Sequence, residues 1–258
     1  MKKRKINKNK LKYILPIVLI LLGVLITIKI FSPYYKIEDR VSEMKKFKGA
    51  NNEKAIGWVR VQGTNIDFPI VYYNTSDVSD PTYDLGWNYS NDETLQTKTT
   101  IFSHNILNVS SKPLIGEKTH KRFEQLMAYL YTDFSKENKY IQYTTGDKNY
   151  LFKIYGVSFQ KEANLDYKNI NPSKSQMKKY IKYTKENSYF DFNIDVNEND
   201  KLITLVTCTR FFGPTTEYSF VIDGRMVREN ELTNNYKIKE KKNYKEIKKI
   251  MEGDAENV

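Results

Sequence analysis

The sequence contains one cysteine, Cys208, and two histidines, His104 and His120, so any nucleophilic chemistry must be built from very few groups. Cys208 ends the run Leu202-Ile203-Thr204-Leu205-Val206-Thr207, which reads as a strand. A nucleophile at the edge of a strand is held by the sheet yet open to a groove, as attack on a carbonyl requires. The thiolate is the reactive form and needs a base or a cation nearby to be populated. His104 follows the strand-like Thr99-Thr100-Ile101-Phe102-Ser103 and precedes Asn105, whereas His120 lies in the polar stretch Glu117-Lys118-Thr119-His120-Lys121 and reads as a surface histidine. Arg210, two residues beyond the cysteine, is placed to lower a thiol pKa, bind a carbonyl or stabilise an oxyanion. Two histidines and one cysteine without ligand spacing do not make a metal site, no cofactor is implied, and a lone cysteine forms no internal disulfide.

The elements that must position these groups are mostly short strands. β-like runs separated by turn residues fall at Ile56–Val61, Asp67–Tyr72, Thr99–Ser103, Lys139–Thr144, Tyr150–Phe159, Lys201–Thr207 and Tyr218–Val227. Two helical patterns interrupt them. Phe123, Leu126, Met127, Leu130 and Tyr131 recur at helical spacing, and Pro172 to Asn187 carries Ser173 as a candidate N-cap with Met177, Tyr180, Ile181 and Thr184 along one face. A domain at 55–230 built this way predicts a mixed α+β fold, mainly β with helices, rather than a parallel α/β sheet. A linker and short amphipathic helix at 32–54 should precede it, since Ile37, Val41, Met44 and Phe47 recur every three or four residues. The Lys/Glu-rich segment 231–258 reads as a charged, solvated or disordered tail in preference to an exposed helix over Tyr236 to Met251, since few apolar positions line up.

Charge is distributed unevenly. The net charge is +11, but residues 1–30 hold eight Lys or Arg and no acid, which leaves +3 for everything downstream. That balance and the lack of any nucleic-acid-binding motif set DNA and RNA aside. The basic flank 1–12 precedes an apolar run, assigned to 13–31, that is about the ~20 residues needed to cross a bilayer. Its length and the absence of a small-x-small site favour an uncleaved signal anchor over a cleaved leader. The expectation is therefore a single-pass membrane protein with a cytoplasmic N-terminus and an extracellular catalytic domain.

Thr204-Leu205-Val206-Thr207-Cys208 resembles the TLxTC motif of sortases, in which a barrel strand ends on the nucleophilic cysteine, and Ile101-Phe102-Ser103-His104-Asn105 resembles the family's short strand ending in His-Asn. Further similarities point to class B sortases. Ile56-Gly57-Trp58-Val59 and Gly63-Thr64-Asn65-Ile66-Asp67-Phe68-Pro69-Ile70-Val71 resemble their opening strands, Phe123 to Tyr143 the helix and strand after the histidine, and Ile170 to Asn187 the extra helix before the cysteine strand. The resemblance covers about 55–227. It implies a closed sortase-type β-barrel with an N-terminal helix and a helix inserted before the cysteine strand. It also implies a cysteine transpeptidase that cleaves a C-terminal sorting motif of secreted proteins through a Cys208 thioester. The acyl group would then pass to an amine of peptidoglycan or to a pilin lysine, with His104 as proton carrier.

The chain departs from the family pattern in three places. Ser103 stands where a glycine usually precedes the histidine, and Val206 where many class B members have serine. The family's arginine, about ten residues after the cysteine, aligns with Ser219. Its role falls to Arg210 from the loop or to Arg225 from further along the next strand. Arg210 is the preferred third catalytic residue, because the start of the loop adjoins Cys208. The competing readings are an anchored extracellular thiol protease or a wall enzyme of the L,D-transpeptidase kind, and a non-catalytic surface binding module with a structural cysteine.

Overall fold

Residues that alternate between two environments along short extended runs form sheets, and here the alternation is closed into a barrel. In the strand Leu202–Cys208, Ile203 and Leu205 enter the central apolar core, while Thr204, Val206 and Cys208 face outward. The same division holds in Tyr218–Met226, where Phe220 and Ile222 face in and Ser219, Val221 and Asp223 face out.

The computed structural model describes residues 14, 16–21, 23, 34–51, 55–72, 77, 79, 80, 82–105, 122–164, 169–213 and 217–253. The chain divides into two units, residues 1–36 with 232–234, and residues 37–231 with 235–258; the second contains the barrel. Helix α1 (Val41–Asn51) leads into strands β1 (Ala55–Val61), β2 (Asp67–Val71), β3 (Gly86–Trp87) and β4 (Lys98–Phe102). A 3-10 helix (Phe123–Leu130) and helix α2 (Thr132–Glu137) then precede β5 (Tyr140–Thr144) and β6 (Asn149–Lys161). Helix α3 (Lys174–Asn187) stands between β6 and the short β7 (Phe190–Asp191), and β8 (Leu202–Cys208) and β9 (Tyr218–Met226) complete the barrel. Its strand order is β1-β2-β3-β4-β8-β9-β6-β5, closed by β5 on β1, so the fold is α+β with a closed eight-stranded barrel, as the sequence implied.

Two features of this order matter for function. Strands β4 and β8 are parallel neighbours although about a hundred residues separate them, with Thr100 opposite Thr204 and Phe102 opposite Val206. Helix α3 is fastened to the outer face of the barrel. Ser173 and Gln176 form a reciprocal capping box at its start, and Met177 and Ile181 pack with Tyr155, Val196 and Leu202. Gly156 allows the closest approach, since a Cβ there would overlap the Thr184 side chain.

Two expectations need correcting. Among the described residues no helix is long and apolar enough to cross a membrane. The longest of those assigned, α3, has 14 residues, about 21 Å at 1.5 Å per residue against a hydrocarbon core of ~30 Å. A single-pass protein with an anchor over 13–31 and an extracellular domain is therefore not supported. The segment expected as a solvated tail instead forms β10 (Lys239–Glu240), paired with β7, and helix α4 (Tyr244–Gly253). Tyr244 and Ile247 bury one face of α4 against Phe190 and Tyr189, and the Tyr244 hydroxyl donates to the Leu130 carbonyl. Three-residue spacing of two apolar side chains suffices because the barrel supplies the rest of the surface.

Candidate active site

The β4–β8 register sets His104 beside Cys208. Phe102 is opposite Val206, and continuing two steps along the parallel pair reaches His104 and Cys208. Three hydrogen bonds hold the chain to that course beyond the end of β4. Ser103 N–H donates to the Val206 carbonyl (3.4 Å), the Thr207 hydroxyl to the Ser103 carbonyl (2.8 Å), and Asn105 Nδ2 to the Cys208 carbonyl (3.0 Å). The last spans the two site residues' own segments. Phe123 N–H also donates to the His104 carbonyl, tying the site to the 3-10 helix.

The imidazole of His104 is held by aromatic rings. It stacks on Tyr83 with centroids 4.4 Å apart and meets Trp87 at 4.9 Å. Its Nε2 is buried and makes no hydrogen bond among the described residues. Burial, with the nearby Arg122 guanidinium second, pushes the His104 pKa down, and Asp84 opposes this weakly. Asp84 is engaged elsewhere, accepting from Arg122 Nε at 2.6 Å.

Cys208 is exposed at the strand end. Partial desolvation pushes its thiol pKa up and the Glu162 carboxylate adds to this, while Arg210 pulls the other way. Both shifts favour the neutral thiol–imidazole pair over a resting thiolate–imidazolium pair.

On the β9 side, Cys208 is paired with Ser219, whose hydroxyl donates to Glu162. The position aligned with the family's arginine therefore presents a hydroxyl backed by a carboxylate. Arg210 is exposed and close enough for its charge to act on the thiol. Arg225 is elsewhere. It pairs with Leu202, six residues along β8 from Cys208, or about 20 Å at ~3.3 Å per residue. There it is 2 % exposed and bound to Glu231, so the structure leaves Arg225 away from Cys208, while the β4 segment carries His104 along the cysteine strand and Arg210 exerts the smallest of the influences on the thiol pKa. His120 lies outside the described residues. Among the described residues, no group of three or more His, Cys, Asp or Glu side chains is arranged to hold a metal ion.

Sequence reasoning did not single out Tyr83, Trp87 or Glu162, and it named Asn105 only as the neighbour of His104. Aromatic rings at 83 and 87 and a carboxylate just past β6 are remote in sequence from Cys208 and leave no local spacing signal. The Ser219 alignment was the one hint that the site's electrostatics differ on that side.

No family model matches the chain. It is 26 % identical over 215 residues to a sortase B of Listeria monocytogenes, covering 76 % of this chain and 75 % of that protein. Among solved structures, a mutant form of Clostridium perfringens sortase B superposes with a TM-score of 0.56 at 23 % identity, covering 72 % of this chain and 87 % of that one. A Staphylococcus aureus sortase B–substrate complex gives 0.55 at 16 % identity, covering 72 % and 85 %. The structural likenesses show a shared fold.

Proposed function

We propose that this chain, which belongs to the class B sortases and is a cysteine transpeptidase, cleaves a C-terminal sorting motif on a donor protein through a Cys208 thioester and passes the acyl group to an amine. The observation that best supports the site assignment is the register of β4 on β8, with Asn105 Nδ2 bonded to the Cys208 carbonyl, which runs the His104 segment alongside the cysteine strand. The pKa directions support the following proton inventory. A neutral His104 accepts the thiol proton as Sγ attacks the scissile carbonyl, and the imidazolium then gives that proton to the departing amine. An incoming amine attacks the thioester, loses a proton to His104, and Cys208 leaves as a thiolate that is reprotonated.

Arg210 is assigned to the carbonyl oxygen as negative charge develops there, since it is the arginine whose charge reaches Cys208. The acceptor amine is assigned to peptidoglycan or to a pilin lysine. The test is incubation of wild type and Cys208→Ala with a panel of sorting-motif peptides, with and without an added amine. Wild type should give a thioester at the single cysteine and an amide product only when amine is present; cleavage by Cys208→Ala would refute the assignment. Product formation indifferent to added amine would make the enzyme a thiol protease.

A further inference from the structure

Three elements converge on His104. The turn before β3 supplies Tyr83, whose ring lies 27° from parallel with the imidazole at a centroid distance of 4.4 Å, and β3 supplies Trp87 at 4.9 Å. The start of the 3-10 helix is tied on by the Phe123 N–H, which donates to the His104 carbonyl. The turn that carries Tyr83 is fixed by its own bonds. Tyr83 N–H donates to the Asp80 carbonyl and Leu85 N–H to the Thr82 carbonyl, each at 3.0 Å. Ser103 Oγ donates to the Leu85 carbonyl at 3.2 Å. That bond comes from the residue next to His104, where the family pattern usually has glycine, and a glycine could not make it.

The titratable groups on these elements are the Tyr83 hydroxyl, Asp84, Arg122, Glu124 and, on β8, the Cys208 thiol. Burial is the largest influence against a proton on His104, the Arg122 cation is next, and Asp84 favours one only weakly. Asp84 is itself paired with Arg122, which also meets Glu124 at 3.4 Å. His104 Nε2 makes no hydrogen bond among the described residues. Under the proposed mechanism the imidazolium must nevertheless form, because the Cys208 proton passes to His104 as the sulfur's electron pair attacks the carbonyl. An aliphatic side chain would bury the imidazole as well as Tyr83 does. Only an aromatic face also offers a cation the negative side of a quadrupole, and 4.4 Å is inside the ~6 Å over which that attraction acts.

We propose that Tyr83 is a positioning residue for acylation: its ring face stabilises the charge that His104 acquires and, with Trp87, fixes the plane of the imidazole, while Ser103 holds the turn that presents it. This deepens the transpeptidase reading and rests on it. Neutral His104 gains little from the ring face. The stabilisation is expressed as the proton arrives, so it speeds the chemical step without tightening peptide binding.

The test compares full-length wild type with Tyr83→Phe, which keeps the ring face, and with Tyr83→Leu and Tyr83→Met, which do not. Proton binding to His104 is followed by NMR titration of its imidazole in substrate-free enzyme, assigned with His120→Gln because the chain has only two histidines. In Tyr83→Leu, His104 should titrate at lower pH, its proton affinity reduced about threefold to thirtyfold. Its kcat/KM should fall by a similar factor through kcat, with KM changed less than about twofold. Tyr83→Phe should stay within about twofold of wild type in both measurements. Tyr83 is partly exposed, Tyr83→Met should follow Tyr83→Leu, and whichever of the two folds decides the test. A His104 titration unmoved or moved to higher pH in the folded variant, an unchanged kcat/KM, a loss carried by KM alone, or a Tyr83→Phe as impaired as Tyr83→Leu would overturn the proposal. Failure of the transpeptidase reading is separable. If wild type forms no thioester with any peptide, the titration alone decides whether the Tyr83 ring holds charge on His104: a shift to lower pH supports that role, and no shift overturns it.

Discussion

Replacing Arg225 by methionine separates an arginine that builds the barrel from one that serves the reaction. Arg225 is 2 % exposed, and its guanidinium pairs with both oxygens of Glu231 and donates to the Met226 carbonyl (2.9 Å) and the Asp195 carbonyl (3.2 Å). Methionine keeps much of the side-chain length but none of the donors. Glu231 would still accept from Lys153 Nζ (2.8 Å) and the Arg228 N–H (2.9 Å), and Arg228 Nη2 also reaches the Asp195 carbonyl. Removing one partner of a buried pair costs about 3–5 kcal/mol, and these surviving donors put the loss at the low end, about 3 kcal/mol. For a domain of this size that lowers Tm by about 6–12 °C.

The pH dependence supplies an internal check. Burial alone would raise the Glu231 pKa, but hydrogen bonds from Arg225 and Lys153 overcome it and hold the carboxyl at about 2, below its ordinary 4.5. A depressed carboxyl contributes stability that is fully present above pH 4.5 and is lost as pH falls towards 2. The difference between wild type and Arg225→Met should therefore be widest above pH 5 and narrow between pH 4.5 and 2. Urea unfolding across that range gives the stability, and transpeptidation assayed well below Tm gives kcat/KM, which should change less than about threefold for a residue distant from the reacting atoms. A loss under about 1 kcal/mol at neutral pH would refute the structural role. A fall in kcat/KM of more than about tenfold in folded enzyme would make Arg225 the catalytic arginine. Arg210→Ala should behave oppositely, losing about 10²–10³ in kcat/KM with stability changed by less than about 0.5 kcal/mol.

Three further outcomes are expected. Glu162→Gln removes a carboxylate that raises the Cys208 thiol pKa but leaves the larger desolvation effect, so the pH profile for alkylation of this only cysteine should shift to lower pH; an unchanged profile would show that Glu162 does not act on the thiol. Thr207→Val keeps the shape but deletes the hydroxyl that donates to the Ser103 carbonyl, costing about 1–2 kcal/mol in chemical unfolding. Because Ser103 precedes His104, it should also lower kcat/KM, and unaltered turnover would mean that this bond does not position the imidazole. Gly156→Ala drives a methyl into Thr184 and should cost about 1–3 kcal/mol while loosening α3; limited proteolysis within 174–187 at the wild-type rate would contradict that packing.

What the sequence disclosed, and what it withheld, follows from the range of the interactions. Period-two alternation around Leu205 is local, so the cysteine strand and its outward-facing thiol were readable, as was the Ser173 cap three residues before Gln176. The helix at 244–253 was ranked second to a solvated tail, because only Tyr244 and Ile247 bury and their partners lie on 189–190 and in the barrel. The arginine question is the sharpest case. An alignment registers that Ser219 stands where an arginine is usual, but it cannot say what Ser219 meets. It meets Glu162, 57 residues away in sequence, brought to Ser219 because β6 and β9 pair along nine residue pairs. A carboxylate near the thiol opposes the thiolate that an arginine would favour, so with a neutral His104 the resting site is uncharged at its reacting atoms. Under the mechanism proposed above, activation comes with substrate, through proton transfer to His104 as the Cys208 sulfur attacks. A substrate-free enzyme that reacts slowly with small alkylating agents yet acylates quickly with its peptide is the kinetic signature this arrangement requires.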